Sequence, residues 1–316
     1  MKHRNLFATA VMALSLAGLA LPAAAETRLT YKSAKTGTSY YQMGVELAEA
    51  VKSASDGELV VTVEESQGSV QNVMEVRARG GEYVFTSPPS LVASAMEGAG
   101  PFEGRTDPKF AEIRALFPIP SLTMHFVVGG TDGGTEMSEL EGKRVLLGKG
   151  TFSATEGERY LELFGLTDKV TVADAELSNA GDALANGQID AFVSAGSWPA
   201  PNIIESAASE GVRILSLSEE QVAQTEQTRV EIPAGTYPGQ SEPIVTTGLP
   251  VVAFTTTAMD EQTAYDLTRV FWETREKLAE TAAWWAGVST DQVATLGELH
   301  PGAARYYEEA GVDIGG

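Results

Sequence analysis

The hydrophobic positions along the chain alternate between strand-like and helix-like spacing. Met43, Leu47 and Val51 recur every four residues within Ser39–Ala54, which places them on one face of a predicted helix. The β-branched run Leu59–Glu64 follows this helix and predicts a strand. The first part of the chain therefore reads strand, helix, strand, helix, strand. Strands separated by helices pair in parallel, so the pattern predicts an α/β sheet.

The other predicted elements follow the same alternation. The predicted strands are Leu29–Ser33, Leu59–Glu64, Tyr83–Thr86, Met124–Val128, Lys143–Gly148, Val170–Ala173, Ile189–Ser194, Val212–Leu215 and Ile244–Thr255. The predicted helices are Ser39–Ala54, Ser69–Arg79, Ser153–Phe164, Asn179–Ala185 and Pro199–Ala208, followed by a helical tail that starts at Asp260. The segment Ile232–Pro243 is rich in proline and glycine and predicts a loop.

These elements fall into two strand–helix series, and the helical tail has no strands of its own. We therefore predict two lobes, with the tail packed on the first series. Lobe I is expected to contain residues 26–122 and 251–316, and lobe II residues 123–250. The cleft between two α/β lobes is a natural place for a ligand.

The first 25 residues have the pattern of a cleavable signal peptide. Lys2 and Arg4 are basic, an apolar run covers residues 6–21, and Ala23–Ala25 is typical of a cleavage site. Glu26 would then begin the mature chain. A retained membrane anchor is the alternative, although the apolar run is short for one, since a spanning helix needs about 20 residues. With no cysteine to carry a lipid, we expect an exported protein held in a periplasm.

Charge and composition exclude several function classes. The 316 residues contain 43 Asp and Glu against 22 Lys and Arg, and a net charge of −21 repels nucleic acid backbones. The chain has no cysteine, which removes disulfides, thiolate metal sites and cysteine catalysis. Only His125 and His300 follow the predicted signal peptide, so we expect neither a metal site nor a cofactor. His125 lies in an apolar strand, which favours a core or hinge role over a ligand contact.

Three predicted helices each begin with a turn of glycine and hydroxyl residues that comes directly after a β-rich run. The turns lie at 36–42, 66–72 and 148–156, and we expect Ser39, Ser69 and Ser153 to cap the helices that follow. Ser39 with Gln42, and Ser153 with Glu156, fit the spacing of a capping box. The carboxyl ends of parallel strands and the starts of the following helices share one sheet edge. Unpaired N–H groups there could hold an anion without a buried lysine or arginine. The alternative is that these residues only cap their helices.

Weaker candidates lie at other strand ends. Ser87 ends the third predicted strand, and Ser194 and Gly196 follow a later one, so both places could face the cleft. Enzyme signatures are missing from the sequence. It has no G-x-S-x-G elbow, and Gly148–Gly150 reads Gly-Lys-Gly where a phosphate-binding loop requires Gly-Lys-Ser or Gly-Lys-Thr.

Several of these segments resemble the TAXI family of TRAP-transporter solute receptors. The similar segments are Gly37–Tyr41 with Gly44, Gly68–Asn72, Asp190–Phe192 with Gly196 and Pro199, and His300–Ala303 with Arg305–Tyr307 and Gly311. They occur in the family's order and span nearly all of the chain after the predicted signal peptide.

The resemblance implies an α/β, two-lobed periplasmic-binding-protein-like fold. Such a receptor would work as a monomer, close on a glutamate-like or other small carboxylate, and deliver it to TRAP membrane permease subunits. At the third turn, Ser153 and Thr155 would take the place of a family Ser-Gly-Thr, with Ala154 replacing the glycine. Resemblance and strand ends together predict these ligand-binding residues: Gly37, Thr38, Ser39, Tyr41, Ser69, Asn72, Ser87, Ser153, Thr155, Ser194 and Gly196.

Two other functions stay open on the sequence alone. An exported α/β hydrolase or transferase would need a catalytic group, and a Ser-His-Asp triad could use only His125 or His300. A binding protein that serves an ATP-driven importer or a sensor kinase would have the same composition. Turnover would identify the enzyme, and neighbouring genes for a TRAP permease would separate a TRAP receptor from the other binding proteins.

Overall fold

A computed structural model describes residues 26–315. The predicted signal peptide, residues 1–25, lies outside the described residues, so its assignment stays a prediction. From Glu26 to Gly315, no helix is both long enough and apolar enough to cross a membrane.

Strands and helices alternate along most of the chain. The strands are β1 (Thr27–Lys32), β2 (Leu59–Glu64), β3 (Tyr83–Ser87), β4 (Ile113–Gly129), β5 (Arg144–Leu146), β6 (Thr171–Ala173), β7 (Ala191–Gly196), β8 (Val212–Ile214), β9 (Thr228–Ile232) and β10 (Ile244–Thr256). The helices are α1 (Ser39–Ala54), α2 (Ser69–Glu75), α3 (Pro89–Glu97), α4 (Phe152–Leu163), α5 (Ala180–Ala185), α6 (Pro201–Ser209), α7 (Glu219–Thr225), α8 (Glu261–Thr281) and α9 (Pro301–Glu309).

One curled sheet holds the strands together in the order β2-β1-β3-β10-β4-β7-β5-β6. Strand β1 pairs in parallel with β2 and β3, and β5 pairs in parallel with β6 and β7. Strand β10 runs antiparallel to its neighbours β3 and β4. The fold is therefore α/β, with two parallel groups of strands joined by a central antiparallel pair.

The two long strands β4 and β10 run through both groups. The last part of β10, Val252–Phe254, pairs with β3, whereas its first part, Ile244–Gly248, pairs with β9. Strand β4 pairs with β7 only from Thr123 onward. The register of β10 against β4 shifts between Leu249 and Val251, where the strands pass from one group to the other. We call the part built on β1–β3 the first lobe and the part built on β5–β9 the second lobe.

The C-terminal helices pack on the first lobe. Helix α8 contacts α1, α9 and β4, and the ring of Phe271 stacks on that of Phe117 at 4.0 Å between centroids. The carboxylate of Glu46 on α1 accepts hydrogen bonds from the indole nitrogens of Trp284 at 3.0 Å and Trp285 at 2.7 Å. The tail thus contributes core and hydrogen bonds to a lobe whose strands all lie earlier in the chain.

Several predicted elements differ from the observed ones. The strand predicted at Met124–Val128 covers only the last part of β4. The earlier part was missed because β4 is buried on both faces, so it shows no polar–apolar alternation, and because it contains Pro118 and Pro120. The helix predicted for Ser69–Arg79 ends at Glu75. Strand β9 reaches Ile232, where the sequence predicted the start of a loop.

Candidate ligand cleft

A cleft of about 490 Å³ lies between the two lobes at the carboxyl ends of the parallel strands. Its first wall is formed by segments that follow β1 and β2, residues 33–38 and 67–69, together with Thr86 of β3. Its second wall contains Thr151–Ser153, residues 176–178, and parts of β7 and α6. The volume suits a small molecule, since ligand pockets span about 300–1,000 Å³.

The first turn leads from β1 into α1. Thr38 is the N-cap, and its hydroxyl oxygen accepts the N–H of Tyr41 at 3.4 Å while donating to the carbonyl of Lys35 at 2.7 Å. The predicted Ser39–Gln42 capping box is therefore wrong: the helix starts one residue earlier than a cap at Ser39 would place it. The Gln42 amide instead bonds Glu46 on the next turn.

Glu65 holds this first turn in place. Its carboxylate accepts the backbone N–H of Thr36 at 2.7 Å and also the Thr36 hydroxyl. These hydrogen bonds, together with the charge of Lys35, lower the pKa of Glu65, and the group stays ionised. The backbone of Ser66 also donates to the carbonyl of Ala34 at 3.3 Å. These hydrogen bonds hold the first wall of the cleft against the residues that follow β2.

The second turn leads from β2 into α2. Gly68, at φ +99°, occupies the N-cap position without a capping side chain, and Ser69 is the first residue of the helix. The prediction that Ser69 is the N-cap is therefore wrong: Gly68, with its positive φ, takes the cap position, and the helix starts one residue earlier than a cap at Ser69 would place it. Ser69 lines the cleft. Helix α2 has only seven residues, so its dipole contributes little there.

The third turn leads from β5 into α4. Thr151 is the N-cap, and its hydroxyl accepts the N–H of Ala154 at 3.2 Å. The predicted capping box of Ser153 and Glu156 is wrong, because the Ser153 hydroxyl accepts the N–H of Ala195 at 2.8 Å instead. Glu156 forms an ion pair with Arg159. All three turns nevertheless line the same cleft.

The structure brings only some of the predicted ligand-binding residues to the cleft surface. Those in its lining are Gly37, Thr38, Ser69 and Ser153. Those outside the lining are Ser39, Tyr41, Asn72, Ser87, Thr155, Ser194 and Gly196. Whether any of the eleven contacts a ligand stays a prediction.

Three of the residues outside the lining, Asn72, Ser87 and Ser194, make hydrogen bonds within the protein. The Asn72 amide donates to the carbonyls of Ser33 at 2.8 Å and Thr86 at 2.9 Å, which ties the ends of β1 and β3 together under the cleft floor. The Ser87 hydroxyl donates to the carbonyl of Pro88. The Ser194 hydroxyl accepts from the amide of Asn202 at 3.3 Å. These contacts shape the cleft from beneath its surface.

Lys35 is a feature of the cleft that the sequence reasoning missed. It is partly buried in the first wall, and within residues 26–315 it is the one lysine or arginine in the cleft lining. Its ammonium makes no salt bridge to any described carboxylate. A lone lysine in a loop has no motif to single it out, and we had expected the site to work without one.

The opposite wall is acidic at its rim. Four exposed carboxylates on the second lobe line it: Glu176, Asp182, Glu205 and Glu210. The cleft therefore carries one positive group on the first lobe and several negative groups on the second. An anionic ligand is attracted to the side of Lys35 and repelled by the rim, so its negative group belongs against the first wall.

The two histidines are held in structural networks away from the lining. His125 is buried, with Nδ1 at 3.1 Å from the carbonyl of Thr123 and Nε2 at 2.9 Å from the hydroxyl of Tyr237. Burial lowers the pKa of His125 to about 4, so the ring is neutral near pH 7. His300 caps α9 by accepting the N–H of Gly302 at 3.2 Å. Over the described residues, no group of three His, Asp or Glu side chains is placed to hold a metal ion.

Two α/β lobes, joined by two long strands and separated by a cleft at the strand ends, define the fold of periplasmic solute-binding proteins. Solved structures with this fold match most of the chain. The periplasmic binding protein BugD is 12% identical, with 90% of this chain and 98% of that chain covered and a TM-score of 0.57. A structure described as a periplasmic transporter is 9% identical, with coverages of 91% and 98% and a TM-score of 0.59. MatC from Rhodopseudomonas palustris, with bound malate, is 13% identical, with coverages of 90% and 97% and a TM-score of 0.57.

The sequence identifies the family as well. The model of the NMT1-like family matches residues 32–311, which is most of the described chain. The chain belongs to the NMT1-like family. The match includes all three turns that line the cleft and both long strands that join the lobes.

Proposed function

We propose that the protein is an extracytoplasmic receptor that binds a small carboxylate and delivers it to the membrane permease subunits of a TRAP transporter. The observation that carries the proposal is Lys35, which lines the interlobe cleft and forms no salt bridge with a carboxylate among residues 26–315. An ammonium that lines a partly desolvated cleft without a direct salt bridge favours an anionic ligand.

Neutral donors around Lys35 would complete the site. The first turns of α1 and α4 begin at the cleft, and the positive end of each helix dipole favours a negative group nearby. The Ser153 hydroxyl accepts from Ala195, which leaves its own hydrogen free to donate to a ligand oxygen. Ser69 adds a second hydroxyl to the first wall. A carboxylate could thus receive bonds from both lobes and draw them together.

The strand pairing supports lobe boundaries close to those the sequence predicts. We propose that lobe I consists of residues 26–122 and 251–316 and lobe II of residues 123–250. Strand β4 gains β7 as a partner from Thr123, and the register of β10 shifts between Leu249 and Val251. Hinge motion at these two points would open and close the cleft, as it does in other two-lobed receptors.

Two further similarities support the proposed ligand class and the proposed transporter. MatC has the same fold and was solved with malate, a small dicarboxylate. The TAXI-like segments at Gly37–Tyr41 and Gly68–Asn72 lie in the cleft-forming turns, which favours a TRAP permease as the partner. A receptor for an ATP-driven importer would share the fold, and deletion of a neighbouring TRAP permease gene would distinguish the two. We propose a monomeric protein, cleaved after Ala25 and located in the periplasm.

A ligand panel tests the proposal. Protein that has been unfolded, dialysed and refolded to remove bound solute is melted with L-malate, succinate, 2-oxoglutarate or L-glutamate, and with glycerol as an uncharged control. A carboxylate at about 100 times its Kd should add about 2.7 kcal/mol to the free energy of unfolding. No stabilisation by any small carboxylate, or equal stabilisation by glycerol, would contradict the proposal.

A further inference from the structure

The end of strand β7 is held by two serine hydroxyls, one from each lobe. The backbone N–H of Ala195 donates to the hydroxyl of Ser153 at 2.8 Å. Two residues on, the N–H of Ser197 donates to the hydroxyl of Ser39 at 3.1 Å. Ser153 and Ser39 are 3% and 2% exposed, so both bonds are shielded from water.

These two bonds differ in what they connect. Ser153 lies in the first turn of α4 and bonds to β7 within the second lobe, whereas Ser39 begins α1 in the first lobe and bonds to a residue 158 positions away. Helices α1 and α4 begin at opposite walls of the cleft. The same strand end therefore contacts both walls, and of these two bonds the one to Ser39 joins the two lobes.

Gly196 lies between the two bonded residues and fits closely against Ser39. A Cβ atom on Gly196 would lie 2.9 Å from the Ser39 hydroxyl oxygen and would meet nothing else within 4 Å. Its φ angle is not in the left-handed region, so its backbone does not require glycine. The absence of a side chain here is explained by the approach of Ser39.

Ser197 and Tyr40 also form hydrogen bonds to β4, at the point where that strand passes from one lobe to the other. The Ser197 hydroxyl donates to the carbonyl of Ser121 at 2.6 Å. The Tyr40 hydroxyl donates to the carbonyl of Pro120 at 2.8 Å. Neighbouring residues of α1 thus reach both β4 and the end of β7, and the Ser39 bond belongs to a buried polar cluster at the hinge.

We propose that Ser39, Gly196 and Ser197 form an interlobe bridge that fixes the spacing between the two walls of the cleft. Ser39 and Gly196 act as positioning residues, because neither lines the cleft and each acts through the other. Breaking the bridge frees the lobes to sample a wider range of separations. This inference concerns the fold and does not depend on which solute binds.

Distance measurement between spin labels tests the bridge directly. The chain has no cysteine, so Val45→Cys on α1 and Val172→Cys on β6 create one label pair across the lobes. Both sites are exposed, at 41% and 51%. We expect a narrow distance distribution for the parent pair without ligand. Adding Ser39→Ala should broaden it or move its maximum by several ångströms, well beyond the uncertainty of the double electron–electron resonance measurement.

Ser153→Ala is the matched control. It removes the same kind of bond, a serine hydroxyl that accepts a β7 amide, but it does so within one lobe. The interlobe distribution should then stay as narrow as in the parent pair. Broadening of equal size in both serine variants would contradict the bridge, since it would mean that β7 merely needs its amides paired.

A double-mutant cycle tests whether Gly196 acts through Ser39. Gly196→Ala alone should broaden the distribution, because its methyl group collides with the Ser39 hydroxyl. In a Ser39→Ala background the same change should add nothing, since the colliding atom is gone.

Melting curves of each variant show whether it is folded, and Gly196→Ala carries the test if Ser39→Ala does not fold. An unchanged distribution in the folded variants, or a Gly196→Ala effect that persists without Ser39, would overturn the inference. No solute enters the measurement, so a failed ligand panel leaves its outcome unaffected.

Discussion

Replacing Lys35 with glutamate should weaken carboxylate binding by about 100-fold, equivalent to about 2.7 kcal/mol. The change removes the positive group of the cleft lining and puts a negative one in its place, opposite a rim that already carries four carboxylates. A hydrogen bond to a charged partner contributes about 1.5–3 kcal/mol, and the repulsion adds to that loss. Isothermal titration with the carboxylate that binds the parent protein most tightly measures the effect.

Lys277→Glu is the matched control for this prediction. Lys277 is exposed on α8, outside the cleft lining, and its substitution changes the net charge by the same amount. Its affinity should stay within about twofold of the parent protein, because an exposed charge outside the cleft is screened by salt. An equal loss in both variants would mean that total charge, and not Lys35, controls binding.

Acid should destabilise the protein through His125 before most carboxylates titrate. The folded-state pKa of His125 is about 4, against 6.5 for an unperturbed histidine. The unfolded chain therefore takes up a proton that the buried ring does not, and stability falls as the pH drops from about 6.5 toward 4. The loss should reach about 2 kcal/mol between pH 7 and pH 5 and about 3 kcal/mol in full.

Urea unfolding of the parent protein and of His125→Gln at pH 7 and pH 5 checks this pH dependence. The variant should be less stable at pH 7, because glutamine cannot reproduce both ring contacts with Thr123 and Tyr237. Its stability should change less between the two pH values. His300→Gln is the comparison, since burial also lowers the pKa of His300, which caps α9 in a different part of the fold. An unchanged pH dependence in His125→Gln would show that another group controls the acid response.

The sequence predicted elements well where one face of an element is buried. Helix α1 and strand β2 have the predicted bounds, because α1 has a clear apolar stripe and β2 is bounded by turn residues. The central strand β4 was only partly predicted, since both its faces are buried and its pattern is continuous. Helices α3 and α7, which begin at Pro89 and Glu219, were missed altogether.

The site was predicted to a coarser level than the fold. Its three turns converge as expected, because the carboxyl ends of parallel strands share one edge. The caps lie one or two residues earlier than predicted, since Thr38 and Ser39 are both good caps, as are Thr151 and Ser153, and only the backbone decides between them. The role of Lys35 and the bond from Ser39 to Ser197 depend on tertiary contacts, for which the sequence holds no local signal.

A crystal structure with the best-bound carboxylate of the panel tests the central claim most directly. We expect density for the ligand between the lobes, with its carboxylate oxygens about 3 Å from the Lys35 ammonium and the Ser153 hydroxyl, the distance of a charged hydrogen bond. A ligand bound elsewhere, or one seated in the cleft with its carboxylate turned away from Lys35, would contradict the account.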